Sequence, residues 1–369
     1  MAVNILYVNG GPMNRGGIET FMMNYVRYMN HDAVHIDFAV TGFEKGVYDD
    51  ELELLGCRIY RLPQKSKHPI AYQKKLKKVF RGSKYEIVHS HADAMSCWVL
   101  KVAKECGVPV RIAHSHNTQH LTTNPIKFQI NEFARRNINK YATNRFACSN
   151  EAGKWLFGDA PFKVIHNAID TSEFAFDDDK RKILREKYAV SEDTILLGHV
   201  GRFDTQKNHA FLIDMFAELA KKNDNYKLMC VGDGWLRGDI EKQISENNLN
   251  DKVILAGQQE NARDYYNVFD LYVFPSLFEG LSFVLIEAQA NGLTCISSDG
   301  VPQETNLSGA NKMLYLPLEK QAWVDKIIEL GKPVRYDGGK YVVEHGYDIT
   351  HEAKKLEDMY LALAENTTN

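Results

Sequence analysis

The chain holds no stretch of about 18 consecutive apolar residues, so no ordinary membrane-spanning helix is expected. From Met1 it runs directly into NILYVN, without the basic segment and long apolar core of a secretory leader. Its six cysteines, at 57, 97, 106, 148, 230 and 295, form no CxxC pair and no metal-ligand spacing. That pattern speaks against a disulfide scaffold and a zinc site, and for a reduced, cytoplasmic setting. HExxH and comparable histidine spacings are missing, so no metal is expected. Short-period repeats and low-complexity tracts are absent as well.

What is present is ordinary for a globular protein: 369 residues, 44% hydrophobic and 25% charged, enough for two or three domains. The net charge of −3 conceals an asymmetry, because residues 1–170 carry 23 Lys+Arg against 15 Asp+Glu and the remainder 22 against 33. Much of the basic excess lies in KSKHPIAYQKKLKKVFRGSK (65–84), with Arg135, Arg136, Lys140 and Arg145 adding to it. Such a run is most simply a solvated helix face. Its functional alternative is contact between a basic N-terminal domain and an anionic surface, such as the inner face of the plasma membrane. No nucleic-acid partner is expected, since no recognised binding motif or aromatic stacking pattern accompanies the charge.

Strand-like runs recur at ILYVN, HIDFAV, YEIVHSH, VRIAHSHN, RFACSN and KVIHNAID, and again at TILLGHVGR, YKLMCVGDG, KVILAG, LYVFPS, TCISSD and MLYLP. Helical patterns separate most of them, the later ones near 207–222, 235–247 and 279–291. This alternation predicts an α/β protein with two Rossmann-like, doubly wound domains, 1–172 and 173–349, facing across a cleft. The acidic FAFDDDKRK (174–182) reads as the linker between them rather than as a metal-binding motif. The amphipathic end, 350–369, is expected as a helix packing back on one of the domains, the first by preference.

Open parallel sheets place ligands outside the carboxyl ends of their strands, so those ends carry the chemistry. After the first strand comes GGPMNRGG, in which Gly16 and Gly17 allow close backbone approach and the following helix start suits an anion such as diphosphate. HVGRFDTQKNH (199–209) sets Arg202 and Lys207 around the corresponding turn of the second half, where both could converge on one anionic group. Gly232 in VGDGWL and Gly257 in VILAGQQEN end further strands, where free backbone groups could bond a base. His89 and His91, and His114 and His116, alternate along their strands; each is either a buried structural histidine or, for His116 above all, a partner for a sugar hydroxyl. In FPSLFEGLSFVLIEAQANG (274–292), Glu279 lies in a loop and Glu287 about two turns into a helix. Two carboxylates so placed suit a ligand with two separated diols, as in a nucleotide sugar, and equally a dipole-satisfying glutamate beside a solvated one.

Taken together, VGRFDTQKN at 200–208, PS-x2-EG-x6-EA at 275–288, GG-x-E at 16–19 and VIHNAID at 164–170 resemble the retaining nucleotide-sugar glycosyltransferases of family 4, with the GT-B architecture. RIAHSHNT and EGLSFVLIEAQ resemble the bacterial capsule and exopolysaccharide members. The resemblance implies that Glu279 contacts donor-sugar hydroxyls, Glu287 the ribose, and Arg202 and Lys207 the diphosphate, with Gly16 and Gly17 bordering it. It also implies that His116 meets the donor sugar near the reacting carbon, and that the backbone at Gly280, Leu281 and Ser282 approaches sugar and phosphate. Ser282 stands where glycine is frequent, Ala168 replaces the glycine of the N-G-[VI]-D turn and Thr294 a common proline. The histidine strand fits with a one-residue ambiguity between His114 and His116.

The expected activity is retaining, metal-independent transfer of a hexose from a nucleotide-diphosphate sugar, a UDP-sugar by preference, to a saccharide or lipid-linked acceptor, with no cofactor. Rival classes are a sugar-nucleotide 2-epimerase or hydrolase, which needs further strand-end carboxylates, and an inactive nucleotide-sugar-binding partner. A dinucleotide-dependent oxidoreductase is disfavoured because GGPMNRGG lacks GxGxxG spacing.

Overall fold

The computed structural model describes residues 2–366. They form two compact units: one runs to Ala168 and takes up the chain again from Ile349, and the other is Ile169–Asp348.

The first unit contains strands β1 (Val3–Val8), β2 (Val34–Thr41), β3 (Ile59–Leu62), β4 (Ile87–Ser90), β5 (Val110–Ser115), β6 (Asn144–Ala147) and β7 (Lys163–Val164). They make one parallel sheet in the order β3-β2-β1-β4-β5-β6-β7. KVIHNAID contributes only two strand residues, because after Ile165 donates to the Ala147 carbonyl the chain turns, Ala168 N–H bonding His166 O at 2.9 Å. The helix Ile349–Glu365 packs in this unit against the helix Gly17–Tyr28 and against β1 and β2. Its Tyr360 hydroxyl lies 2.7 Å from that of Tyr7, and its Glu357 carboxylate accepts Asn30 N–H at 2.7 Å.

The second unit contains β8 (Ile195–Val200), β9 (Tyr226–Val231), β10 (Val253–Gly257), β11 (Leu271–Phe274), β12 (Thr294–Ser298) and β13 (Met313–Leu316). These form a second parallel sheet in the order β10-β9-β8-β11-β12-β13. Side chains of successive residues enter opposite faces, so each strand feeds two cores. Leu197, Leu228, Val273 and Ile296 lie in one, and Leu196, Met229, Tyr272 and Cys295 in the other. That two-sided burial is why the strands read as continuous apolar runs.

In both sheets the strand order reverses after the first strand, between β1 and β4 and between β8 and β11. At such a reversal the crossovers depart to opposite faces and leave a crevice at the carboxyl ends. Residues after Val8, Ser90, Val200 and Phe274 therefore stand at the two places where a ligand has room.

The acidic stretch at 174–182 is not a linker. Asp177 caps a helix, Asp178–Lys187, by accepting the N–H groups of Asp179 and Lys180, each at 3.0 Å, and the helix belongs to the second unit. The unit boundary falls at Ala168/Ile169 instead of 172/173, because Ile169 pairs with Asp348 and its N–H bonds Tyr347 O at 2.9 Å. The capped helix is fastened by charge: Arg181 Nη2 lies 2.7 Å from Asp270 Oδ1 and Arg185 Nη1 3.2 Å from Oδ2, all three residues buried. Asp270 also accepts Leu196 N–H at 2.8 Å. Asp270→Ala should therefore destabilise the second unit by about 3–5 kcal/mol, since two buried guanidinium groups lose their buried counter-charge and keep only the exposed Glu192, 3.8 and 3.4 Å away; urea denaturation followed by a probe in this unit measures it.

Candidate active site

At the reversal of the second sheet, β8 ends at Val200 and the chain turns through Gly201 and Arg202 toward the helix His209–Lys222. Asp204 organises the turn, its carboxylate accepting from Arg202 Nε at 2.8 Å and from Lys207 N–H at 3.2 Å. The neighbouring strand, β11, leads into Pro275 and a loop stitched to that turn: Leu277 N–H bonds Gln206 O at 2.8 Å and Gln206 Nε2 bonds Phe278 O at 2.9 Å. Two loops distant in sequence thus present their side chains together.

The result is a short ion pair, Lys207 Nζ to Glu279 Oε1, at 2.6 Å. Glu279 is only 7% exposed, and the Ser276 hydroxyl lies 2.5 Å from the same carboxylate oxygen. The ammonium also sits 4.7 Å from the centre of the Phe274 ring. Arg202 does not converge with Lys207 on one point; its side chain is 68% exposed and rests on Asp204. Beyond Glu279 the chain passes through buried Gly280 and Leu281 to Ser282, which precedes the helix Phe283–Ala290. Ser282 does not turn its hydroxyl back on the first-turn amides, and that buried oxygen has no hydrogen-bond partner among the described residues. A helix start with undirected amides and a spare buried hydroxyl is a ready acceptor of an anion.

Glu287 stands further along the same helix, where the Tyr266 hydroxyl donates to its Oε2 at 2.6 Å. The surrounding mass pushes its carboxyl up to about 7, and the Tyr266 bond only partly offsets this. Gly232 serves close approach and Gly257 a left-handed turn at φ +72°, and the two are bonded to each other. The Gly232 N–H donates to Gly257 O at 2.9 Å, and a Cβ on Gly232 would lie 2.0 Å from Gly201 O. Glycine at 232 is thus what lets the ends of β8 and β9 come together.

In the first unit, Gly16 precedes the helix Gly17–Tyr28 in extended conformation and supplies no side-chain cap. A Cβ there would lie 2.4 Å from the Glu19 carboxylate. The histidines form two cross-strand pairs: His89 Nε2 to His114 Nδ1 and His91 Nδ1 to His116 Nε2, each at 3.0 Å. His89, His91 and His114 are fully buried, and only His116, at 9%, keeps any exposure. Burial pushes His116 down to about 3, so its imidazole is neutral near pH 7. Its backbone N–H donates to Asp93 Oδ1 at 2.6 Å. One nitrogen each from His89, His91 and His114 lies within 4.8 Å of the others. Both His89 nitrogens are already engaged, with Tyr360 and His114, so this is a hydrogen-bonded stack first.

Asp204, Ser276, Tyr266 and Asp93 escaped the sequence reading. Ser276 lies inside the PS-x2-EG segment and Asp204 inside VGRFDTQKN; Tyr266 and Asp93 carry no spacing signal and are found only by contact.

Residues 15–173 match the family described as Glycosyltransferase Family 4, and residues 194–332 match Glycosyl transferases group 1. EpsF of Bacillus subtilis, named as a glycosyltransferase, is 32% identical over 99% of this chain and 98% of its own length. CapH of Staphylococcus aureus, a capsular polysaccharide biosynthesis glycosyltransferase, is 27% identical over 95% of this chain and 96% of its own. The Escherichia coli UDP-Gal:alpha-D-GlcNAc-diphosphoundecaprenol alpha-1,3-galactosyltransferase is 25% identical over 84% of this chain and 83% of its own. In fold, the chain is similar to Anabaena HepE in complex with UDP-glucose, with a TM-score of 0.77 at 18% identity over 96% of this chain and 98% of that one. With two parallel-sheet units and a relative this similar over its whole length, the chain belongs to the family 4 glycosyltransferases of GT-B architecture.

Proposed function

We propose that this glycosyltransferase of polysaccharide biosynthesis moves a hexose from a UDP-sugar to a saccharide on a lipid carrier, with retention at the anomeric carbon and without a metal ion. The observation that carries the proposal is the largely buried Lys207–Glu279 pair at the reversal of the second sheet, its glutamate three residues before Ser282 and its open helix start. Donor binding would exchange partners. The diphosphate takes the Lys207 ammonium and the amides beyond Ser282, and Glu279, released from its counter-charge, accepts hydroxyls of the sugar. Arg202 is free to join because its own side chain is exposed, although the Asp204 carboxylate it rests on is buried. Glu287 takes the ribose diol, with Tyr266 holding the carboxylate in place.

As the glycosidic bond breaks, negative charge grows on the departing diphosphate, and the fixed cations and amides stabilise it. The acceptor hydroxyl attacks from the face that the diphosphate leaves, and its proton passes to the departing phosphate oxygen. The protein then mainly orients the substrates. The roles that the resemblance gives to His116, toward the sugar, and to Gly16 and Gly17, toward the diphosphate, remain part of the proposal. The UDP-glucose held by HepE and the diphospholipid acceptor of the E. coli relative support the choice of donor and acceptor.

Membrane contact belongs to the same proposal. On the helix Pro125–Asn137 only Ala134 is buried, and Ile126, Phe128, Ile130 and Phe133 are exposed, Ile126 by 73%. Lys127, Arg136 and Lys140 accompany them, and Lys74, Lys75 and Lys78 are exposed on the helix Pro69–Gly82. Apolar side chains among cations suit the surface of an anionic bilayer, each cation adding about 1 kcal/mol.

A melting-temperature panel of UDP-, GDP- and ADP-sugars should show stabilisation by a UDP-sugar, and a shift with another base alone would refute the choice of donor. With that donor, Lys207→Ala and Glu279→Gln should each lower kcat by roughly a hundredfold; wild-type turnover in both would end the site assignment. Ile126→Asp/Ile130→Asp should lower sedimentation with phosphatidylglycerol vesicles, whereas equal partition of the wild type onto neutral and anionic vesicles would count against membrane contact.

A further inference from the structure

We infer that the cavity at the carboxyl ends of β1, β2 and β4 in the first unit seats an anionic group of the acceptor, with the Lys65 ammonium as its counter-charge. The inference rests on the proposed transferase reading and adds the chemical class of one substrate.

The cavity encloses about 360 Å³, within the range of roughly 300–1,000 Å³ usual for small-molecule pockets. Its wall includes Asn9, Glu19, Lys65, Tyr72, His91 and Asp93, and it lies where the order of the first sheet reverses. Lys65 reaches it from the loop between β3 and the helix Pro69–Gly82. Its Nζ donates to the Met95 carbonyl at 3.1 Å and stands 5.5 Å from the centre of the Tyr72 ring. Among the described residues no carboxylate acts on it, and burial pulls it down from 10.5 to about 8. Among the described residues this half-buried ammonium has the Met95 carbonyl as its hydrogen-bond acceptor and no counter-ion, and an anion in the cavity would supply one.

The two carboxylates of the wall do not take that part. Glu19 accepts Asn9 Nδ2 at 2.8 Å. Asp93 accepts His116 N–H at 2.6 Å and Asn117 Nδ2 at 2.7 Å, and its backbone is held at φ +43°, a conformation that non-glycine residues rarely adopt. These bonds fix the carboxylate where it is. His91 stays neutral because burial holds it well below its ordinary value, and the Tyr72 phenol is pushed up to about 12. Among the described residues of the wall Lys65 is therefore the cation left for a ligand, and either a carboxylate, as on a uronic acid, or a phosphate would satisfy it.

Calorimetric titration of the protein in the presence of UDP, using methyl glucuronide, methyl phosphate and methyl glucoside, tests this. At least one charged probe should bind about tenfold more tightly than the neutral glucoside, and which one does so tells carboxylate from phosphate. Lys65→Met should lose that preference and Lys65→Arg keep it. Affinity should be level below pH 8 and fall toward tenfold per pH unit above it, as the free lysine loses its proton. Equal binding of glucoside and charged probes, no binding of either charged probe, or unchanged binding by Lys65→Met overturns the inference. The melting shift with UDP in the same samples is a separate reading: its absence speaks against the donor proposal, while the probes still decide on Lys65.

Discussion

The reversal of strand order is the constraint on which the rest depends. A parallel sheet must return each strand by a crossover of one hand, so the two neighbours of the first strand send their helices to opposite faces. The carboxyl ends of β1 and β4, and of β8 and β11, are left uncovered in consequence. Asn9, His91 and the turn at Asp93 stand at the first of these places, and Lys207, Ser276 and Glu279 at the second. Packing has cleared the ground at these points, and polar side chains occupy it.

At the second reversal, the polar atoms that the proposal gives to a donor are occupied by one another. The Lys207–Glu279 pair is sheltered on both sides, with the Ser276 hydroxyl on the same oxygen, whereas in the Arg202–Asp204 contact the arginine side chain stands in water and only the carboxylate is buried. A sheltered pair keeps both loops in register while neither charge stands alone. The two loops therefore hold their shape by an internal contact, the one that the proposed donor would replace.

Both sheets were legible because burial on two faces writes each strand as a short apolar run, and crossovers place helical patterns between them. Glu279, Glu287, Arg202 and Lys207 were legible through local segments with fixed spacing. That Lys207 meets Glu279, 72 positions away, was not, since nothing in either segment encodes the approach. Tyr266 was hidden for the same reason. The acidic run at 177–179 misled because aspartate is equally at home in a solvated linker and at a helix start, and the deciding Asp270 lies far along the chain. The histidine ambiguity is a matter of alternation: His114 and His116 share a face, and only the depth of burial tells them apart.

The path of the chain has a temporal side. Residues from Ile349 onward complete the first unit, yet they leave the ribosome after all of the second. Until Tyr360 arrives, Tyr7 and His89 lack its hydroxyl, and the helix Gly17–Tyr28 lacks a packing partner. During synthesis the second sheet can close first, and the unit begun earliest is finished last.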